Sequence, residues 1–183
     1  MALARYTMLA CGALLTVLGC AGAQAPTPAR APVRSGHGYA LLHSLLKQES
    51  QVSKLLVIKS ERKPLERTID DISTTSAKAV EYLEELADAA PPIDLSDTGL
   101  PGDEVRAREA IAARRQKELL AASGRELELE LLLSQNEALV YGAGLADALS
   151  RSEPNEARLA FVRGLWKDLM RLQRDVLALI RAS

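Results

Sequence analysis

The sequence predicts an all-α fold: an antiparallel four-helix bundle with one longer crossover loop and a long third helix. Three observations predict it. Hydrophobic residues make up 48% of the 183-residue chain but aromatics only 3%, and a core of Ala and Leu suits packed helices better than a sheet. Apolar side chains recur at three- and four-residue spacing through most of the chain after Gly38, the period of an amphipathic helix. β-Branched residues are sparse and hairpin turns are missing, so a strand-rich fold has no support. The length allows one domain, or at most two small ones.

Helix 1 is expected over residues 39–60, with Leu42, Leu45, Val52 and Leu56 on one face. Pro64 marks the break, since proline fits the first turn of a helix and disrupts its interior. Helix 2 is expected over residues 64–89. Leu65, Ile69, Ile72, Ser76, Ala79, Leu83 and Leu86 form a heptad seam with one polar member. Pro91 and Pro92 stop it. Residues 93–102 carry turn residues with only Ile93, Leu95 and Leu100 to pin them down, and are long enough to cross between the ends of a bundle. Pro101, Asp103 and Glu104 suit a helix start, with acids at the positive dipole end. Helix 3 is expected over residues 102–150, its seam reading Leu120, Gly124, Leu127, Leu131, Ser134, Ala138, Tyr141, Leu145 and Ala148. Gly124 is a point where this segment kinks or divides into two. Residues 152–155 make a turn. Helix 4 follows over residues 154–181, with Val162, Trp166, Leu169, Val176 and Ile180 inward.

The first 24 residues have a different character. Arg5 is the only charged side chain before Arg30, and residues 8–18 are apolar. A basic start, a short apolar run and a small-residue end make a secretory signal. The run is too short to span a bilayer, which takes about 20 apolar residues. Its end, Val17-Leu18-Gly19-Cys20, resembles the lipobox of bacterial lipoproteins. That resemblance implies cleavage before Cys20, lipidation (palmitate) of its sulfur and a membrane anchor in the cell envelope. With Ala21 next, it implies sorting to an outer membrane facing the periplasm. The alternative is a plain signal cut after Ala23 and a secreted or periplasmic soluble protein, because Ala21-Gly22-Ala23 is also a cleavage site. The expected organisation is a signal peptide at 1–19, a Pro/Ala-rich flexible tether at 20–36 and a helical domain at 37–183.

Composition narrows the chemistry. Of the two cysteines, Cys11 lies in the removable segment and Cys20 would be a thioether. The helical domain therefore holds no disulfide, thiolate metal site, haem attachment or cysteine nucleophile. Formal net charge is −1, and loss of Arg5 with the signal leaves about −2, so no general attraction to nucleic acid is expected. The two histidines, His37 and His43, sit at the tether junction and on the first turns of helix 1, where neither is a natural base for a nucleophile. No Glu-x-x-His occurs, so the ligand set of a di-metal bundle is missing. Glu126, Glu128 and Glu130 turn by about 200° at each two-residue step of a helix and read as a solvated flank. The GxG at Gly142 and Gly144 follows no strand, and Ala138, Gly142 and Ala146 read as a place where two backbones approach. Arg106, Arg108, Arg114, Arg115 and Lys117 are interleaved with acids and have no aromatic residue beside them. They read as a solvated face, with contact to anionic lipid or polymer as the alternative.

Glu49 is the anomaly. It falls at the centre of the apolar face of helix 1, between Leu45, Val52 and Leu56. Burying a carboxylate without a partner costs several kcal/mol or forces it neutral. With Ser76, Ser134 and Tyr141 on the other seams, it defines a candidate polar layer that either fixes helix register or contacts a ligand. No catalytic residue, metal ligand or cofactor is expected. The expected role is a non-enzymatic envelope scaffold or protein-interaction module, partnered by the membrane and an envelope protein. The alternative is a small-molecule or metal binding bundle built on the Glu49 layer.

Overall fold

The computed structural model describes residues 35–54 and 63–183. The signal peptide, Cys20, nearly all of the tether and Leu56 lie outside the described residues. The described residues belong to one compact unit. Every regular element described is helical: α1 (Ser35–Glu49), α2 (Lys63–Leu86), α3 (Gly102–Ala121), α4 (Gly124–Ser150) and α5 (Glu156–Ala182). The all-α class read from composition and period is the observed one.

The core sits between α1, α2, α4 and α5. α4 packs on α5, α1 on both α2 and α4, and α2 on α5. The α2 seam is buried as its heptad pattern requires: Leu65, Ile69, Ile72, Ser76, Ala79 and Leu83 are all inside. Each fully buried Leu or Ile stabilises the fold by roughly 1.5–3 kcal/mol. Helix α1 supplies Tyr39, Leu42 and Leu46, and α5 supplies Val162, Leu165, Leu169, Leu172 and Val176.

The expected long third helix is two helices. Its polypeptide breaks at Ala122 and Ser123, and α4 restarts at Gly124, whose φ is +55°. Only glycine takes that left-handed conformation without cost. Helix α3 has no buried residue at all and touches α4 lightly. Residues 87–101 connect α2 to α3. They fold against the start of α1, where His37 pairs with Asp97 at 3.1 Å and Ile93 and Leu95 pack on the core. Within this loop, the Ser96 hydroxyl and then its backbone N–H bond Asp94 and hold its carboxyl below the usual range.

Gly99 shows what the loop depends on. Its φ is +64°, and a side chain there would run into the His37 ring. Gly99→Ala is expected to cost about 1–2 kcal/mol from the left-handed backbone alone, plus displacement of His37 from Asp97. Gly124→Ala has the same backbone strain but open space around it, so it bears the first cost only. Urea denaturation of both variants checks the difference. Equal losses would mean that the His37 contact contributes nothing.

Candidate functional site

Two buried polar centres stand out. The first lies at the C-terminal end of α1. Glu49 is the last residue of that helix, and its Oε2 is closed off from solvent with no hydrogen-bond partner. On α4, Gln135 is 4% exposed and its Oε1 is likewise sealed and unpartnered. The two side chains meet. Burial pushes the Glu49 carboxyl up to about 7, against a smaller opposing pull from the Gln135 amide, which donates to it. Hydroxyls gather beside them: Ser73 Oγ donates to Ser50 O at 2.7 Å, and Ser53 Oγ donates to Ser73 Oγ at 3.1 Å. Ser76 is buried on the same face of α2.

The other expected members of this layer are placed differently. Ser134 is half-buried and its hydroxyl returns to its own helix, donating to Leu131 O at 2.8 Å. Tyr141 is 38% exposed and stacks under Arg108, whose guanidinium lies 5.8 Å from the ring centre. Leu127 and Leu131 of the predicted seam are buried, but the rest of the inward face of α4 is turned one residue from it: Glu128, Leu132, Gln135, Leu139, Gly142, Ala146 and Leu149 point inward, with Ala143 beside them. Glu128, expected on a solvated flank, is therefore buried, with Ser183 Oγ 3.5 Å from its Oε1. Gly142 is a close-approach point, since an added Cβ would sit 3.0 Å from Leu45 and 3.1 Å from Leu169.

The second centre was not anticipated. Glu153, in the α4–α5 turn, and Arg158, in the first turns of α5, have side chains each 1% exposed. Tyr39 of α1 donates its hydroxyl to Glu153 Oε2 at 2.6 Å, and Asn155 N donates to Oε1 at 2.8 Å. Arg158 Nε lies 3.1 Å from the same Oε1, but its N–H is misaligned, so the contact is an ion pair and not a hydrogen bond. Arg158 Nη1 donates to Ala89 O at 2.7 Å and Leu86 O at 3.4 Å. Leu86 is the last residue of α2 and Ala89 lies in the turn just beyond it, at a helix end where C=O groups have no intrahelical partner and a cation is favoured by the dipole. Burial, and then Glu153, hold the Tyr39 hydroxyl well above its ordinary range, while Arg158 pulls the other way. The arrangement ties α1, α2, α4 and α5 together at one end. It is a structural knot with no open face for a substrate.

The surface carries two further features. Between α2 and α5 lies an open groove of about 500 Å³, floored by Ala79, Ala160 and Gly164 and walled by Tyr82 and Phe161. Those two rings meet edge to face at 5.5 Å. On α3 and α4, Ile111, Leu129, Leu133 and Val140 are 39–54% exposed. The arginines of α3 are engaged: Arg106 with Asp103, Arg108 with Glu104, Arg114 with Glu118 and Arg115 with Glu137. Among the described residues, no three His, Cys, Asp or Glu side chains converge as a metal ion would need. Likewise, no described helix is long and apolar enough to cross a membrane. No family model, curated protein or solved structure matches this chain.

Proposed function

We propose that the chain is an envelope lipoprotein, anchored through Cys20, whose helical domain is a non-enzymatic protein-interaction module. The anchoring half rests on the lipobox-like Val17-Leu18-Gly19-Cys20. The interaction half is carried by one observation: α3 has no fully buried residue, and Ile111 on it and Leu129, Leu133 and Val140 on α4 present large apolar side chains to solvent. Leu129, Leu133 and Val140 fall on one stripe at helical spacing. Apolar side chains grouped on one face mark a contact site more often than scattered single ones do.

In this reading α1, α2, α4 and α5 form an antiparallel four-helix bundle, and α3 is an outrigger that makes the crossing expected of a loop. Several contacts support it. His43 bonds Glu84 while Ser50 bonds Ser73, which sets α1 against α2 in opposite directions. Gly38 adjoins Leu149 while Leu45 adjoins Gly142, which does the same for α1 and α4. Asn136 with Gln173 and Glu128 with Ser183 do so for α4 and α5. A 20-residue α3 is about 30 Å long, enough to span such a bundle.

Expression of the full chain in a bacterial host with radiolabelled palmitate tests the anchor. Label is expected in the membrane fraction and absent from Cys20→Ala; label in both, or in neither, overturns the anchor. A photocrosslinker at Leu133 or Val140 tests the interaction face. A discrete adduct is expected there and none from exposed Glu81. The same products from all three positions would sink the reading.

A further inference from the structure

We infer that Glu49 and Gln135 share a proton and act as a pH-sensitive latch that holds the C-terminal corner of α1 against α4. Each brings to the bundle interior an oxygen that accepts hydrogen bonds and has no donor: Oε2 of Glu49 and Oε1 of Gln135. An unmade hydrogen bond on a sealed polar atom costs about 1–3 kcal/mol. Two such atoms on adjoining side chains are resolved together by one proton. A protonated Glu49 Oε2–H becomes the donor that Gln135 Oε1 lacks, while the Gln135 amide donates to the other carboxyl oxygen. The ionised carboxylate offers no donor, so it leaves the Gln135 oxygen orphaned and adds a charge to the interior.

Among the described residues, no counter-charge faces the pair. The inward-facing residues of α2 are apolar apart from the hydroxyls of Ser73 and Ser76. The buried charged residue of α5 is Arg158, which is engaged with Glu153. It belongs to the knot around Tyr39, ten residues before Glu49 and so about 15 Å away along the α1 axis. On α4 the other buried acid is Glu128, about 10 Å along the axis from Gln135. On α1 itself Lys47 is exposed and His43 bonds Glu84.

The position of Glu49 makes the proton consequential. The chain leaves α1 here through a short corner: Ser50 N bonds Leu46 O, Gln51 N bonds Gln48 O and Val52 N bonds Glu49 O. That corner is fastened to α2 by Ser73 Oγ on Ser50 O. Ionisation favours outward rotation of Glu49 to reach water, and the corner moves with it.

The test uses the full chain labelled with ¹³C at glutamate carboxyls, with Glu49→Gln to assign the resonance. The Glu49 carboxyl is expected to titrate near neutrality. In step, the amides of Ser50, Gln51 and Val52 lose roughly tenfold or more of their hydrogen-exchange protection, beyond the intrinsic base-catalysed change. In Glu49→Gln the corrected protection stays constant with pH. A carboxyl that titrates in the ordinary acidic range overturns the shared proton. A titration near neutrality with unchanged corner protection overturns the latch, and so does a Glu49→Gln variant that opens like the parent.

Discussion

Replacing Arg158 by Met is expected to remove about 3–5 kcal/mol of folding stability, because it strands a carboxylate inside the protein. Glu153 would keep the Tyr39 hydroxyl and the Asn155 N–H as donors but lose the buried counter-charge of Arg158. The Leu86 and Ala89 carbonyls would lose their donor at the same time. Glu153→Gln together with Arg158→Met removes the stranded charge, so the double variant should be more stable than Arg158→Met alone by at least about 1 kcal/mol. Tyr39→Phe deletes one hydrogen bond to a charged group and should cost about 1.5–3 kcal/mol. Urea denaturation followed by helical circular dichroism measures all three. An Arg158→Met chain within 1 kcal/mol of the parent would show that the pair is repaid by solvent, and the knot would lose its standing as the fastening of this end.

The knot also shows what the sequence could not disclose. Arg158 and Glu153 are five positions apart around a turn, which reads as an ordinary surface pair. Their meaning depends on Tyr39, 114 residues from Glu153, and on carbonyls about 70 residues from Arg158. No periodicity reports such a convergence. Helix α2 lies at the other extreme. Its apolar residues occupy one narrow stripe, so the pattern alone picks out the buried set. Helix α4 falls between the two. Leu, Ala and Gly surround it on most sides, and two stripes one residue apart are almost equally apolar. The predicted seam through Ser134 and Tyr141 avoided Glu128 and Gln135, which a pattern of apolar positions cannot favour. Packing against α1 and α5 buries both nonetheless. Trp166 misled in the same way: hydrophobicity placed it inward, but it is 40% exposed and Leu165 and Leu172 take the core positions.

Glu49 was legible because a carboxylate in mid-stripe contradicts its own pattern; its partner was not, because an amide beside Leu139 contradicts nothing. The consequence is a pH-dependent stability with a definite sign. The folded chain holds the Glu49 carboxyl near 7, above its ordinary 4.5. Between those values the folded state binds more protons than the unfolded state, so stability falls as pH rises. Below about 4.5 the group is neutral in both states and has no effect. Above about 7 the loss is complete, at roughly 3 kcal/mol. Glu49→Gln keeps the size of the neutral acid and cannot ionise. It should match the parent at pH 4.5 and exceed it by up to roughly 3 kcal/mol at pH 8.5. Taking the difference between parent and variant at each pH cancels every other titrating group. A difference that stays flat from pH 4.5 to 8.5 would mean that water reaches Glu49 in solution, and the neutral acid would be lost as a feature of the fold.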